Sequence, residues 1–274
     1  MAVASPHRTD LTEGEMALWQ ERGYHIHGPV FSREEVDEIR AACEEVTEGL
    51  YETGNPPDVV NWRPGDEPLA VRKLDNTWKA NHTIRRAVTS RRIGHIAAQL
   101  IGAPSIRLWH DQYLYKPPQG GKVVTWHQDW AYWQMVAECQ TCTCWIALGD
   151  VTNVDQGPMV YLEGSHKLGL YKLPEGISGD DEQKPVLPNG TRLREVPVLV
   201  KAGQVAFHHG LLLHGSGKNV SKQPRYAIVS HVISGECTYK PGQPHMNETM
   251  MQQQPECPAP GEKFRGPQFP QMWP

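Results

Sequence analysis

The sequence predicts a mainly β protein with helices at its N-terminal end. Apolar side chains recur every three or four positions in the first hundred residues, and every second position beyond Gly102. Short strands separated by turn residues are typical of a β-sandwich or barrel, and the lack of regular strand–helix alternation disfavours a doubly wound sheet. We expect one domain over residues 1–274, with a helical part at 1–103, a β-barrel core at 104–238 and an extended tail at 239–274.

The expected helices have recognisable start and stop signals. Thr12 with Glu15, and Ser32 with Glu35, have the spacing of a capping box. Gly23 is a natural end for the first helix. Two later helices are predicted from apolar stripes, made of Val36, Ile39, Cys43, Val46 and Leu50, and of Ile93, Ile96, Ala97, Leu100 and Ile101 before Gly102. Residues 54–66 are polar with three prolines and are predicted to be a loop.

The β region contains one long predicted strand and several short ones. Alternation over residues 106–116 places Ile106, Leu108, His110, Gln112 and Leu114 on one face. Further strands are expected at 123–126, 142–148, 159–162, 198–201, 204–208 and 226–233. Residues 171–197 form a long insertion, which with residues 55–66 is a candidate lid. The tail has no period, so its sequence leaves open whether it covers the domain or forms an interface.

Composition excludes several classes of partner. The formal net charge is −4, from 27 Lys and Arg against 31 Asp and Glu, so no net positive field attracts nucleic-acid phosphates. No apolar run approaches the ~18–20 residues of a membrane helix, and the first ten residues lack the apolar core of a signal peptide. We expect a cytoplasmic protein whose partner is a small molecule, with neither nucleic acid nor a membrane involved.

The six cysteines are predicted to be reduced thiols. Cys139, Cys142 and Cys144 lie close together, but a zinc site would need a second CxxC or CxxH pair, which the sequence lacks. A disulfide scaffold is not expected in a chain of this length. The three neighbouring cysteines are therefore interpreted as small side chains on a strand.

One pair of residues in the β region has the spacing of metal ligands. His127 and Asp129 are two residues apart at the end of a strand-like run, so both side chains lie on one face. An HxD pair alone is a weak signal, but His214 follows between two predicted strands. Two histidines and a carboxylate form the facial triad of non-haem Fe(II) oxygenases, which leaves three positions for a bidentate oxo acid and O2. These three residues are the predicted metal ligands.

An arginine on the next strand predicts a carboxylate anchor. Arg225, Ala227 and Val229 share one face, so the guanidinium enters an apolar cavity if that face points inward. A buried guanidinium needs an anionic partner, and a carboxylate matches its planar, bidentate geometry. Ser216, two residues after His214, adds a hydrogen-bond donor. His110, His208 and His209 are weaker ligand candidates and are interpreted as pocket or core histidines.

These motifs resemble those of the phytanoyl-CoA dioxygenase (PhyH) family of Fe(II)- and 2-oxoglutarate-dependent oxygenases. The resemblance is carried by ERGY at 21–24, QYLYKPP at 112–118, WHQDW at 126–130, WIAL at 145–148, GSH at 164–166 and HGSGKN at 214–219. It implies a double-stranded β-helix, a barrel of the jelly-roll and cupin type. It implies that iron is bound by His127, Asp129 and His214, and that Arg225 and Ser216 hold the distal carboxylate of 2-oxoglutarate. Gln112 and Trp133 resemble family positions that line the cosubstrate pocket, and Lys73 resembles a lysine that some members direct at the same carboxylate.

The resemblance also implies a reaction. With Fe(II) and O2, 2-oxoglutarate is decarboxylated to succinate and CO2 while a second substrate is oxidised. Related halogenases carry a small residue in place of Asp129, so the retained carboxylate favours oxygen insertion, or another oxidation by the same oxidant, over halogenation. Hydroxylation is the expected outcome, and desaturation, ring formation and endoperoxide formation stay open. We expect a small organic substrate of secondary metabolism, because no basic patch for the phosphates of coenzyme A stands out. Two alternatives stay open: a cupin-like metal-binding protein, in which Arg225 and Ser216 would have no carboxylate to hold, and a non-catalytic sensor, which the intact triad disfavours.

Overall fold

Two antiparallel β-sheets, with helices packed on the outer face of the larger one, form the fold. The structure is a computed structural model that describes residues 8–171, 185, 187, 191–242, 251–252 and 257–274. The helices are α1 (Glu13–Arg22), α2 (Arg33–Thr47), α3 (His82–Val88) and α4 (Arg91–Ile101). The strands are β1 (Tyr24–Pro29), β2 (Val59–Val60), β3 (Arg72–Asp75), β4 (Ile106–Lys116), β5 (Val124–His127), β6 (Thr141–Ala147), β7 (Met159–Leu162), β8 (Glu195–Pro197), β9 (Gln204–His209), β10 (His214–Ser216), β11 (Arg225–Ser234) and β12 (Gln271–Trp273).

The strand order gives the predicted barrel. The larger sheet has the order β1-β9-β6-β11-β4-β3-β2, with β12 also paired to β4, and the smaller sheet has the order β5-β10-β7-β8. One apolar cluster lies between the two sheets, with Trp145, Val229 and Tyr161 among its members. A second, larger cluster joins the opposite face of the large sheet to the helices. These facing antiparallel sheets confirm the double-stranded β-helix.

Local sequence signals explain the helices well. Both capping boxes are present, so Thr12 and Ser32 begin α1 and α2 as predicted. Gly23 ends α1 and Gly102 ends α4 in the left-handed conformation, with φ of 79° and 64°. The apolar stripes of α2 and α4 are buried. Leu50 is an error in the predicted stripe, because α2 ends at Thr47 and the Leu50 side chain is 62% exposed.

The N-terminal part is not only helical, which corrects the prediction for residues 1–103. Strand β1 pairs with β9, while β2 and β3 extend the same sheet beyond β4. The predicted strand at 198–201 is also displaced, since β8 ends at Pro197. Val198 and Val200 are buried between the sheets, so their alternation reflects burial more than strand pairing. Strand β10, only three residues long, was not predicted because it is too short to show a period.

A β-bulge in β4 corrects the prediction that a single face carries five alternating residues. His231 lies opposite His110, but Val232 lies opposite Leu108, so Trp109 is an extra residue. An extra residue exchanges the two faces of a strand. Ile106 and Leu108 therefore pack in the cluster beneath the helices, whereas His110, Gln112 and Leu114 face the cavity between the sheets.

The described part of the tail packs on the domain. Strand β12 pairs with β4, and Met272 is fully buried against α4. Phe264 and Phe269 pack on Trp109, with the rings of Trp109 and Phe269 stacked at 5.6 Å. Most of the predicted lid at 171–197 lies outside the described residues. Across the portion of the chain that is described, no helix combines the length and the apolar character needed to cross a bilayer.

Candidate metal centre and cosubstrate pocket

A cavity of about 490 Å³ lies between the two sheets. Its walls come from β4, β6, β9 and β11 of the large sheet and from β5, β7 and β10 of the small one. All eight predicted site residues line it: His127, Asp129, His214, Arg225, Ser216, Gln112, Trp133 and Lys73. The fold therefore gathers the predicted residues into one place.

Pairing of β5 with β10 brings the two predicted histidine ligands together. His127 and His214 are opposite each other in the ladder. Gly215 allows this close approach, because a Cβ at that position would lie 2.9 Å from the carbonyl oxygen of Val124. Asp129 follows in the turn after β5, and its Oδ1 lies 3.4 Å from Nε2 of His127 and 3.5 Å from Nε2 of His214. One ligand atom from each residue falls within 4.8 Å of the others.

Backbone contacts direct the lone pairs of both histidines. Nδ1 of His127 lies 2.8 Å from the carbonyl oxygen of Thr125, and Nδ1 of His214 lies 2.9 Å from that of Leu212. A carbonyl oxygen only accepts, so each Nδ1 carries the proton and donates it. Each Nε2 then offers a lone pair beside Oδ1 of Asp129. This is the arrangement in which outer hydrogen bonds orient metal-binding histidines.

Burial and mutual contact set the charges of the cluster. Burial alone would raise the pKa of Asp129, but the neighbouring histidines, His214 first, outweigh it and hold this pKa well below its usual range. Burial lowers the pKa of His214 well below its ordinary value, and the nearby His127 adds to the effect. An ionised carboxylate and a neutral imidazole are the forms that bind a divalent metal. At His127 burial acts in the same direction, but the hydrogen bond and the charge of Asp129 outweigh it and raise the pKa, so a metal ion binding there has to displace an imidazolium proton. With that proton displaced, the residues present fit an iron ion.

The second oxygen of Asp129 is held by residues that were not predicted to have this role. Thr143 Oγ1 donates to Oδ2 at 2.5 Å, and Nε2 of His208 lies 3.0 Å from the same oxygen. Because a carboxylate only accepts, His208 donates from Nε2 and its Nδ1 accepts from the Tyr161 hydroxyl at 3.0 Å. His231 Nδ1 in turn lies 2.9 Å from Thr143 Oγ1. Period two on β6, β9 and β11 places these side chains on the cavity face, which is the signal that was available in the sequence.

The predicted carboxylate anchor is buried at the start of β11. Arg225 is 3% exposed and donates from one terminal nitrogen to the carbonyl oxygen of Gly157 at 2.5 Å. Its Nε has no hydrogen-bond partner. Burial lowers the pKa of Arg225 to about 10, which still leaves it charged at neutral pH. Ser216 lines the same cavity from β10.

Lys116 is a further buried group that sequence reasoning did not single out. It is 1% exposed at the end of β4, and its Nζ lies 2.8 Å from Ser216 Oγ and donates to the carbonyl oxygen of Gly217 at 2.6 Å. Lys116 continues the alternation of His110, Gln112 and Leu114 on the cavity face, so the pattern contained the signal.

The remaining candidates have mixed surroundings. Trp133 presents an edge to His110 and His231, with ring centroids 5.5 and 4.7 Å away. The ammonium nitrogen of Lys73 lies 3.6 Å from Oδ2 of Asp75. His209 packs against Trp19 and His166, away from the three ligand atoms, while His110 lines the cavity without joining them.

A second group of potential metal ligands is already paired with a basic side chain of the protein. Glu15, His25 and His27 have ligand atoms within 4.8 Å of one another. Both carboxylate oxygens of Glu15 accept from Arg8, at 2.6 and 2.8 Å. The positive guanidinium thus stands where a cation would have to bind, so the site at Asp129 is the better candidate.

Comparisons with known proteins agree with this geometry. The family model described as phytanoyl-CoA dioxygenase (PhyH) matches residues 19–227. A probable alpha-ketoglutarate-dependent hypophosphite dioxygenase of Stutzerimonas stutzeri is 28% identical over 228 residues, which are 78% of this chain and 76% of that protein. The peroxisomal phytanoyl-CoA dioxygenase of Mus musculus is 25% identical over 252 residues, which are 83% of this chain and 70% of that protein.

A solved structure extends the likeness to nearly the whole chain. The crystal structure of SnoK, a non-haem alpha-ketoglutarate-dependent carbocyclase from nogalamycin biosynthesis, superposes with a TM-score of 0.74 at 27% identity and covers 98% of this chain and 99% of SnoK. Alpha-ketoglutarate is another name for 2-oxoglutarate. The chain therefore belongs to the phytanoyl-CoA dioxygenase (PhyH) family of Fe(II)- and 2-oxoglutarate-dependent dioxygenases.

Proposed function

We propose that this dioxygenase hydroxylates a small organic molecule, with His127, Asp129 and His214 as its iron ligands. The observation that carries the proposal is the convergence of three lone-pair donors on one point beside the cavity. Two neutral imidazoles and one carboxylate are the donor set of a non-haem Fe(II) centre with open positions. Bound there, iron supplies the activation of O2 that is coupled to decarboxylation of 2-oxoglutarate to succinate and CO2.

We propose that the protein's own share is to hold the reactants and keep water away. Arg225 and Ser216 are the groups that hold the distal carboxylate of 2-oxoglutarate, since both line the cavity and a guanidinium matches a carboxylate in shape and charge. Gln112, Trp133 and Lys73 complete the walls of the cosubstrate part. Thr143 and His208 fix the orientation of Asp129.

The proposed substrate is a small organic molecule of secondary metabolism, with no role for nucleic acid or a membrane. The cavity volume is within the usual range for small-molecule sites, and Leu114, Trp145 and Val229 give it an apolar wall. SnoK, which belongs to nogalamycin biosynthesis, supports this assignment. The relatives named for hypophosphite and for phytanoyl-CoA show that substrates vary widely among similar chains.

We propose a cytoplasmic location on the basis of cysteine chemistry. All six cysteines are free, and Cys142 and Cys144 are buried on β6. Free thiols are typical of a reducing compartment. Fractionation of the producing cells, with the protein detected in the cytoplasmic fraction, tests this assignment.

Neither alternative, a cupin-like metal-binding protein or a non-catalytic sensor, assigns a function to Arg225 and Ser216. In the described part of the chain no carboxylate pairs with Arg225, although this cation is buried beside the cavity. An uncompensated buried charge is destabilising, so its presence favours an enzyme that binds an oxo acid.

The test is an anaerobic titration of the protein with Fe(II) and then 2-oxoglutarate. We expect the weak visible charge-transfer band of an iron-bound 2-oxo acid, growing to one equivalent. Folded protein that gives no band would favour the cupin or sensor alternative.

Replacement of Arg225 by alanine separates cosubstrate binding from iron binding. We expect Arg225→Ala to raise the 2-oxoglutarate concentration for half-saturation by roughly tenfold or more, because a charged, hydrogen-bonded partner is lost. Iron affinity, measured without 2-oxoglutarate, should change far less. Arg72→Ala is the control, since Arg72 lies between the rings of Trp62 and Tyr115 and does not line the cavity. Comparable losses of both affinities in Arg225→Ala would mean that the arginine is structural.

A further inference from the structure

Two basic side chains lie directly opposite each other in the barrel wall. Lys116 and Arg225 are partners in the β4–β11 register, so their side chains share one face of the sheet. They are 1% and 3% exposed. Like charges opposite each other on neighbouring strands are destabilising, and burial makes each charge more costly. Both groups can therefore be charged at the same time only at a high cost, unless an anion binds beside them.

The protein supplies no such anion in the part of the chain that the structure describes. Lys116 contacts Ser216 Oγ and the carbonyl oxygens of Ser216 and Gly217, and Arg225 contacts the carbonyl oxygen of Gly157. All these partners are uncharged oxygens. A negative charge that would keep both groups protonated has therefore to come from a ligand, and the cavity reaches both Ser216 and Arg225.

The contact between Lys116 and Ser216 also directs the serine hydroxyl. A hydroxyl has one proton to donate and lone pairs to accept with. An ammonium group can only donate, so once Lys116 is protonated it donates to Ser216 Oγ, 2.8 Å away, and the Ser216 proton is free to point elsewhere. Ser216 lines the cavity beside Arg225, so its hydroxyl is available as a donor to a carboxylate there.

We propose that Lys116 is the third member of the 2-oxoglutarate anchor, a positioning residue that acts through Ser216. The inference rests on the proposed function, because it assumes that Arg225 and Ser216 hold the distal carboxylate. Lys116 does not line the cavity itself, so it supplies charge and orientation without touching the ligand.

We expect Lys116 to take up a proton when the 2-oxoglutarate dianion binds. Burial, with a smaller contribution from Arg225, lowers the pKa of Lys116 to about 6, so near pH 7.5 the free protein holds this amine largely neutral. A carboxylate close by favours the ammonium form and raises the pKa. Binding then converts the neutral amine and one solvent proton into an ammonium group. Arg225 is the charged group facing Lys116 from β11, while the neighbours from the adjoining loops are uncharged: Ser216, Gly217, Asn219 and Gly121.

The test is calorimetric titration of the anaerobic Fe(II)-loaded protein with 2-oxoglutarate, at pH 7.5, in two buffers of different ionisation enthalpy. Comparison of the two buffers counts the protons taken up. We expect the wild type to take up close to one proton more than Lys116→Met. At pH 5.5, where Lys116 is already largely protonated, the difference should fall well below one.

Measuring both the 2-oxoglutarate affinity and the proton uptake separates the effect of the Lys116 charge from its effect on the orientation of Ser216. Lys116→Met should bind 2-oxoglutarate roughly 10–100-fold more weakly than the wild type, with unchanged iron affinity. Lys116→Gln keeps a donor to Ser216 and should lose less affinity, but it should lose the proton uptake completely. Lys218→Met is the matched control, because Lys218 is exposed in the loop that follows Ser216. This variant should behave as the wild type.

Thermal unfolding of the ligand-free variants tests whether Lys116 is merely structural. At pH 5.5 Lys116→Met should unfold no lower than the wild type, because at this pH it removes a buried charge that has no anion. If it does not fold, Lys116→Gln supplies the comparison.

Two results overturn the proposal in distinguishable ways. Wild-type proton uptake in a folded Lys116 variant, with affinity within threefold of the wild type, would show that Lys116 has no part in the anchor. A wild type that binds iron but no 2-oxoglutarate would refute the proposed function itself, and this inference with it.

Discussion

At the scale of single residues, the two oxygens of Asp129 have different tasks. Oδ1 faces Nε2 of His127 and His214, whereas Oδ2 is held by Thr143 and His208. Every proton in this network has a defined place, since the carboxylate only accepts and Tyr161 donates to His208. The carboxylate therefore offers one oxygen in a constant orientation.

Replacement of His208 should loosen this orientation. We expect His208→Leu to weaken Fe(II) binding roughly 10–100-fold, the usual effect of losing a partner of a metal ligand. His208→Gln, whose amide can still donate to Oδ2, should retain most of the affinity. Anaerobic equilibrium titration with Fe(II) gives both values. Equal affinity in His208→Leu and the wild type would show that Thr143 alone is sufficient.

At the scale of elements, β4 connects the helices with the cavity. Its bulge at Trp109 lets one strand present apolar side chains to the helices and polar ones to the site. Asp111, on the helix side, is fully buried and accepts from the backbone of Thr77 and Trp78, at 3.2 and 3.1 Å, and from the Thr77 hydroxyl. It therefore joins β4 to the turn that precedes α3.

Asp111 should make the stability of the fold depend on pH. Burial raises the pKa of Asp111 from 3.8 to about 7, so the folded state holds this proton more tightly than the unfolded state. The resulting stabilisation is complete below pH ~4 and is lost as the pH rises through about 7. Between pH 5 and 8 we expect Asp111 to reduce the free energy of unfolding by roughly 2–3 kcal/mol.

Urea unfolding of the wild type and of Asp111→Asn at both pH values measures this difference. The variant should be less stable at pH 5, because asparagine replaces one acceptor by a donor, but it should lose less stability on going to pH 8. Parallel losses in the two proteins would assign the pH dependence to other groups.

At the scale of the whole molecule, the C-terminal end of the described chain packs against β4 and α4. Strand β12 lies beside β4, and the Trp273 ring stacks on His95 of α4 at 4.1 Å. The aromatic cluster of Trp109, Phe264 and Phe269 continues this contact. We infer from this packing that the tail and the barrel belong to one domain.

At Gly94, helix α4 and the C-terminal segment are in close contact. A Cβ there would lie 2.7 Å from the carbonyl oxygen of Met272, which is backbone and cannot rotate away. We expect Gly94→Ala to lower the free energy of unfolding by ~1–3 kcal/mol, although alanine is the better helix former. Gly14→Ala in α1, where the nearest atom is 3.9 Å away, should instead raise it by up to ~1 kcal/mol. Similar urea midpoints for the two variants would contradict tight docking of the tail.

The sequence by itself determined the features that depend on a few neighbouring residues. The capping boxes at Thr12 and Ser32, the helix end at Gly23 and the common face of His127 and Asp129 all follow from rules that act over two to four positions. Motif resemblance added the family, and with it the barrel and the cofactors.

Only the tertiary structure decided which distant side chains meet. His214 faces His127 through pairing of β5 with β10, and Lys116 faces Arg225 through the register of β4 with β11. The bulge at Trp109 changes which residues of β4 see the cavity, and alternation alone cannot reveal it. The physical reason is that strand register is set by packing between segments far apart in the chain, so a local period gives the faces of a strand but not its neighbours.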